Sequence, residues 1–342
     1  MIKAKIMTKI VAINGFGRIG RQAYKAAIDL KSKFKVVAVN DLTDPATLAY
    51  LLKYDSVYGQ WKGHKVSATK DSIIVDGNKI QVFAEKDPGK LPWKKLKIDV
   101  VIESTGFFTE KEGASLHLKA GAKAVVISAP TKSEDINTFV IGANEKKLKK
   151  GEQIISNASC TTNCTSPVMS VLMNRFGVKK AMLTTVHAYT ATQKLVDGPD
   201  AKDPRRGRAA AVNIVPSTTG AANAVIQTLP ELKNKFDGLS IRVPVITGSL
   251  IDVTALLKKK VTVKQVNDAF ISASKNPLYK KIIGVTYDPI VSTDTIGTTL
   301  SAIVDLGTTK VVDGDLVKVL AWYDNEYGYS CRLAEMVEMV KI

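Results

Sequence analysis

Cysteine and histidine are both scarce in this sequence, with three of each in 342 residues. Cys160, Cys164 and Cys331 make no disulfide framework, which fits a reducing cytoplasm. Long apolar runs are missing too: nothing approaches the roughly 18 residues that a membrane-spanning helix needs. The basic start, M-I-K-A-K-I-M-T-K, lacks an apolar signal core, so a secreted protein is not expected. No internal repeat or low-complexity segment occurs. Acidic residues are few, 32 against 49 Lys and Arg, leaving a net charge of +17. Such a balance attracts nucleic acid, anionic lipid or anionic small molecules. The lysines fall in short groups (Lys94, Lys95 and Lys97; Lys146, Lys147, Lys149 and Lys150; Lys258 to Lys260) without interleaved aromatics. That pattern suits solvated surface better than a nucleic-acid face. What remains is a globular composition, 45% apolar and 24% charged, in a chain long enough for two domains.

The first half reads as alternating strands and helices. Thr8 to Asn14 is a buried-strand pattern, followed by Gly15-Phe16-Gly17-Arg18-Ile19-Gly20 and a segment with Ile19, Ala23, Ala26, Ala27 and Leu30 at helical spacing. A lone G-x-G-x-x-G says little; here a strand precedes it, a helix follows, and Asp41 closes the next strand, Lys35 to Asn40. The glycines allow a tight turn and close approach of a pyrophosphate to the helix N-terminus, while the carboxylate accepts from ribose hydroxyls. The charge on Asp41 opposes a 2′-phosphate, so NAD is favoured over NADP. Short strands between Val66 and Phe83 surround an Asp76-Gly77 hairpin signal. Strands are then expected at Ile98 to Glu103, Ala124 to Ser128 and Phe139 to Ile141, with a helix opened by a Thr109/Glu112 capping box and ended at Gly121. Ser104, Thr105 and Ser128, at strand ends, are candidate cofactor contacts, with a plain turn role as the alternative.

Gln153 to Cys164 reads Q-I-I-S-N-A-S-C-T-T-N-C. Cys160 falls where a strand end meets a helix start, and the first turn of a helix favours a thiolate. A cysteine among small residues is often mere packing; the neighbouring hydroxyls of Ser159, Thr161 and Thr162 argue for a nucleophile. Of the histidines, His64 lies in a turn and His117 on a helix, each a surface or packing residue. His187, on the strand-like Ala181 to Thr190, is the candidate base. Ala191 to Asn213 is a long polar loop carrying Arg205, Arg206 and Arg208. Pro216 to Gly220 opens an Ala-rich helix, an anion site in principle, with Arg242 at another strand end able to clamp a phosphate. Runs at Leu239 to Val245, Leu250 to Leu257, Ser301 to Asp305 and Leu316 to Tyr323 suggest an antiparallel sheet, the last two joined through Asp313-Gly314. A final helix carries Leu333, Met336, Val337 and Val340 on one face.

Together these strings resemble phosphorylating glyceraldehyde-3-phosphate dehydrogenase over nearly the whole chain: I-N-G-F-G-R-I-G-R (13–21), V-N-D (39–41), L-L-K-Y-D-S-V (51–57), S-T-G (104–106), S-N-A-S-C-T-T-N-C (156–164), H-A-Y-T (187–190), S-T-T-G-A-A (217–222), R-V-P (242–244) and Y-D-N-E-x-G-Y-S (323–330). The resemblance implies an α/β Rossmann domain (1–159, completed by a C-terminal helix, 325–342) and an α+β catalytic domain with an antiparallel sheet (160–324). It implies oxidation and phosphorylation of glyceraldehyde 3-phosphate to 1,3-bisphosphoglycerate with NAD, in the cytoplasm, with Cys160 as nucleophile and His187 as its base. Gly15, Gly17, Arg18, Ile19, Gly20, Asp41, Lys86, Ser104, Thr105, Ser128 and Asn325 would serve NAD. Thr190, Thr192 and Arg242 would hold the substrate phosphate; Ser159, Thr161, Thr219, Gly220 and Arg206 would hold inorganic phosphate. No metal is implied. Residues 191–213 correspond to a loop that reaches a neighbouring subunit in a homotetramer, and the last helix to one that packs on the nucleotide domain. Phe107, Tyr327, Cys331 and the segment Val245 to Leu250 depart from the common pattern. Erythrose-4-phosphate dehydrogenase shares the same logic, and a nucleic-acid or surface-binding protein is a reading from another class.

Overall fold

The computed structural model describes residues 8–201 and 203–342. Residues 1–7, most of the basic start, and Lys202 lie outside these. The described chain divides into two compact units: the residues up to Thr138 with Lys147–Asn157 and Ser330–Ile342, and Phe139–Lys146 with Ala158–Tyr329.

The first unit is a doubly wound sheet. Strand β1 (Lys9–Asn14) leads into helix α1 (Arg18–Asp29), then β2 (Phe34–Asn40) and α2 (Pro45–Lys53). Asp44 caps α2 by accepting from Thr47 N–H, and Pro45 occupies its first turn, where no donor is needed. A small hairpin, β3 (Tyr54–Asp55) and β4 (Gly59–Gln60), precedes β5 (Val66–Thr69), β6 (Ser72–Val75) and β7 (Asn78–Phe83). The turn between β6 and β7 is Asp76-Gly77, both at positive φ (50° and 79°), as a two-residue hairpin demands. There follow α3 (Trp93–Leu96), β8 (Val100–Glu103), α4 (Lys111–Lys119), β9 (Ala124–Ile127), β10 (Asn137–Thr138) and β11 (Ile154–Ser156). The sheet order is β10-β11-β9-β8-β1-β2-β7-β6-β5. All neighbours run parallel except β5–β6 and β6–β7. The order reverses at β1, so the carboxyl ends of β1, β2 and β8 open a crevice.

Two local expectations change here. Phe139 to Ile141 is not a strand: pairing stops at Thr138, and Phe139 and Val140 are buried in the other unit. The Thr109/Glu112 capping box does not form either. Helix α4 starts one residue later, with Glu110 at its cap position and no side-chain cap, because Ser133 Oγ accepts the Lys111 N–H at 3.0 Å. A partner brought by the fold replaces the local one.

The second unit opens with α5 (Cys160–Phe176) and β12 (Val178–Ala188), then β13 (Val215–Ser217), α6 (Ala221–Thr228), β14 (Phe236–Val243), β15 (Ser249–Leu257) and α7 (Val263–Lys275). It continues through β16 (Ile283–Thr286), β17 (Ala302–Asp305), β18 (Lys310–Val312) and β19 (Leu316–Tyr323) into α8 (Tyr327–Met339), whose residues from Ser330 group with the first unit. The strand order is β13-β14-β12-β15-β19-β17-β16, with β18 on β19. The sheet is mixed: β12–β14 and β16–β17 run parallel, the rest antiparallel. Helix α6 supplies the crossover that a parallel β12–β14 pair requires. Asp313-Gly314 turns β18 into β19, so a short strand intervenes before the turn expected to follow Asp305. Val168, Leu172, Leu183, Val253, Phe270 and Val319 belong to one core between the sheet and its helices.

Within the first unit the end of α8 is held by Lys9, whose ammonium donates to the carbonyls of Val337, Glu338 and Val340 at 2.6–2.9 Å. A lysine satisfies the last carbonyls of a helix and complements its dipole.

Candidate active site

The nucleotide motif folds as three glycines with three separate reasons. Gly15 has φ +88°, and a Cβ there would meet Thr105 N at 2.7 Å. A Cβ on Gly20 would lie 2.1 Å from the Gly15 carbonyl, so the helix and loop pack only through hydrogen. At Gly17 nothing lies within 4 Å of a Cβ, which leaves the helix N-terminus open to a pyrophosphate. Asp41 is anchored beside this loop, accepting from Phe16 N–H at 2.8 Å and Thr43 N–H at 3.0 Å. Gly15, Gly17, Asp41, Lys86, Ser104 and Thr105 line a cleft of about 590 Å³. The Arg18 guanidinium turns to Asp55 at 2.7 Å, so Arg18, with Ile19, offers the helix-end backbone rather than a side chain. Ser128 N–H donates to the Glu103 carbonyl, and its residue does not line the cleft.

In the second unit Ser159 caps α5, accepting from Thr162 N–H at 3.1 Å, and Cys160 is the first helical residue. Ala158, just before, holds φ at +55°, a strained value for a residue with a side chain, and Tyr329 Oη donates to its carbonyl. Cys160 Sγ lies 3.4 Å from His187 Nε2. The parallel register of β12 and β14 pairs His187 with Arg242. His187 Nδ1–H donates to the Ala188 carbonyl at 2.7 Å, which leaves Nε2 bare toward the sulfur, and Arg242 Nη1 stands 2.6 Å from Nδ1 and donates to the same carbonyl at 3.0 Å.

Burial pushes the Cys160 thiol up to about 11, against the Arg242 charge and the Thr161 and Cys160 N–H groups at the helix end, which lower it. Burial first, then the Arg242 charge, push His187 down to about 3. The protein's own groups thus favour a neutral thiol beside a neutral imidazole, where the helix start alone would favour a thiolate. A neutral imidazole is the form that can take a proton.

The residues expected at the anion sites are tied into the fold. Thr190 and Thr192 hydroxyls pair at 2.9 Å. Arg206 Nη2 donates to the Thr218 carbonyl at 3.1 Å, Thr219 Oγ1 accepts from Ala221 N–H, and Gly220 is the cap residue of α6. Thr161 Oγ1 meets Tyr323 Oη at 2.9 Å. Asn325 Oδ1 accepts from Gly248 N–H and Ser249 Oγ.

Two family models match this chain: residues 9–111 match glyceraldehyde 3-phosphate dehydrogenase, NAD binding domain, and residues 159–325 match glyceraldehyde 3-phosphate dehydrogenase, C-terminal domain. The chain belongs to the glyceraldehyde-3-phosphate dehydrogenase family. It is 56% identical over 331 residues to glyceraldehyde-3-phosphate dehydrogenase of Thermotoga maritima, covering 96% of this chain and 98% of the relative. It is 50% identical to the protein of that name from Geobacillus stearothermophilus (96% and 97% covered), and 50% identical to glyceraldehyde-3-phosphate dehydrogenase 1 of Kluyveromyces lactis (96% and 99%).

As a member of the glyceraldehyde-3-phosphate dehydrogenase family the chain is an oxidoreductase that uses NAD. The glycine loop fits that cofactor, since Gly17 leaves the helix end uncovered and side chains at 15 or 20 would strike the backbone of Thr105 and Gly15 that shapes the loop. Several residues escaped sequence reading. Asn14, Asn40, Leu42, Glu85 and Phe108 also line the cleft. A polar residue closing each apolar strand, Asn14 in K-I-V-A-I-N and Asn40 in F-K-V-V-A-V-N, was the available signal. Tyr323, whose hydroxyl bridges Thr161 and Thr185 and whose ring lies edge-on to His187, was marked only as the first residue of the 323–330 string, with no role attached. Phe107 is 87% exposed at the cleft rim; Cys331, fully buried, is a core residue.

Proposed function

We propose that Cys160 and His187 carry out the family's reaction in this chain, the oxidation and phosphorylation of glyceraldehyde 3-phosphate by NAD and inorganic phosphate. The 3.4 Å contact between the sulfur and the imidazole at the start of a helix is the observation that carries this reading. Cys160 sulfur attacks the aldehyde carbon while His187 Nε2 takes the thiol proton. The oxyanion that forms meets the helix-end N–H of Cys160 and protonated His187. NAD, when bound, accepts the hydride that leaves this carbon. Cys160 is then a thioester; inorganic phosphate adds to the carbonyl, the C–S bond breaks, and the sulfur recovers its proton from His187. Thr190, Thr192 and Arg242 hold the substrate phosphate, and Ser159, Thr161, Thr219, Gly220 and Arg206 receive inorganic phosphate.

The expected functional domains are 1–159 with 325–342 for NAD and 160–324 for catalysis. A homotetramer fits the exposure of Leu195, Val196, Val212 and Ile214, 71–81% in the 191–213 loop and just beyond it, an apolar group that another copy could cover. Among the described residues no helix is long and apolar enough to cross a membrane; a cytoplasmic enzyme is the reading that fits three free cysteines. The deciding assay follows NADH formation from glyceraldehyde 3-phosphate with and without inorganic phosphate, with erythrose 4-phosphate alongside. Cys160→Ser should abolish turnover and leave NAD affinity intact. Persistent phosphate-dependent turnover in that variant would remove Cys160 from the reaction.

A further inference from the structure

His117, expected at a surface or in plain packing, is completely buried, and its neighbours explain why a histidine stands there. Trp93 Nε1–H donates to His117 Nδ1 at 3.0 Å. An indole N–H can only donate, so Nδ1 is bare and the ring hydrogen sits on Nε2. That Nε2 faces Glu103 Oε2 at 3.0 Å. Glu103, 1% exposed, also receives Asn14 Nδ2 on Oε2 at 2.6 Å, and the Thr105 N–H (2.8 Å) and hydroxyl (2.5 Å) on Oε1. Four donors thus meet the four acceptor positions of one carboxylate. The chain continues outward: Asn14 Oδ1 accepts from Asn40 Nδ2 at 2.7 Å, and Asn40 exchanges hydrogen bonds with the Glu85 N–H and carbonyl, each at 2.8 Å.

From Trp93 through His117, and from Asn40 through Asn14, the bonds run toward Glu103, while Asn40 also donates outward to the Glu85 carbonyl. Asn14, Asn40, Glu85 and Thr105 line the 590 Å³ cleft, whereas Trp93, Glu103 and His117 lie behind it. A core that needed only packing would be cheaper to fill with apolar side chains, and a buried polar network is stable only when every member is satisfied. We propose that Glu103 and His117 are positioning residues for the dinucleotide, acting through Thr105 and Asn14 to hold the carboxyl ends of β8 and β1 at the spacing the cofactor requires. Gln at position 103 would turn an NH₂ group onto existing donors whichever way it faced. Gln at position 117 keeps one acceptor and one donor, and is the conservative replacement.

This inference rests on reading the cleft as the NAD site, so the test includes Asp41→Ala as a control on that reading. In the full-length protein, Glu103→Gln and His117→Ala are expected to raise the NAD Kd and KM about tenfold, the scale of one buried hydrogen bond left unmade. The kcat and the KM for inorganic phosphate should stay put, and His117→Gln should recover most of the NAD affinity. Nitrogen-15 spectra of the unsubstituted protein should show His117 as the Nε2–H tautomer, a readout that needs no variant to fold. Unchanged NAD affinity in folded Glu103→Gln and His117→Ala, a His117→Gln protein as weak as His117→Ala, or an Nδ1–H tautomer would overturn the proposal. If Asp41→Ala also leaves NAD binding unchanged, the cleft reading falls; if only Asp41→Ala weakens it, the positioning role alone falls.

Discussion

His187, the proposed base, is held uncharged by the fold. Its ordinary value of 6.5 drops to about 3 because the ring is buried and the Arg242 guanidinium stands against it. A folded-state value below the unfolded one means that the unfolded chain binds the extra proton first. Stability contributed here is present above pH 6.5 and is lost as pH falls toward about 3, at about 1.4 kcal/mol per pH unit. His187→Asn should flatten that stretch of the stability curve, measured by urea unfolding at pH 7 and pH 4.5; an unchanged acid slope would show that another group carries it. The same variant should slow Cys160 alkylation at neutral pH and reduce kcat by roughly 10²–10⁴, the range of general base catalysis. Tyr323→Phe strips the hydroxyl that bridges Thr161 and Thr185. Its cost should be about 1–3 kcal/mol in thermal or urea unfolding, since two buried hydroxyls lose a partner. Sequence reading reached Cys160 through its hydroxyl-rich neighbours and His187 as the one histidine on a strand-like run, but it could not reach what the Tyr323 hydroxyl ties together, because its partners lie far away in the chain.

Elements show the same division between local and distant causes. The strand, glycine loop and helix at residues 9–29 were legible because each piece is written in consecutive residues: an apolar run, spaced glycines, then a helical period. Gly20→Ala places a carbon against the Gly15 carbonyl, so NAD affinity should be lost while the catalytic unit still reacts with a thiol reagent; undiminished NAD binding would contradict the packing argument. Helix α5 depends on its cap, and Ser159→Ala should cost about 1 kcal/mol in unfolding measurements, with Thr162 N–H left unpaired. The α4 start was misplaced because a loop residue, Ser133, supplies the cap bond from 22 positions away. Strand β10 was misplaced because two residues are too few to show a period.

At the scale of the whole molecule, the +17 charge is spread in short lysine groups, while four strongly exposed apolar residues, Leu195, Val196, Val212 and Ile214, fall within one stretch of the chain. If these four are covered by another copy, Leu195→Asp with Val196→Asp should reduce a four-subunit mass in light scattering to a smaller species; an unaltered mass would place the interface elsewhere. What the sequence settled by itself is what lies within a few residues of one backbone segment: the dinucleotide loop with its acid, the Asp76-Gly77 hairpin, and a cysteine at a helix start. Full-length resemblance then carried the family. Only the tertiary structure decided that Arg242 stands against His187, that Tyr323 ties Thr161 to Thr185, and that His117 completes a buried network around Glu103. Such pairs are fixed by strand register and by packing between distant segments, and a shift of one residue in register would exchange every partner without altering any local pattern.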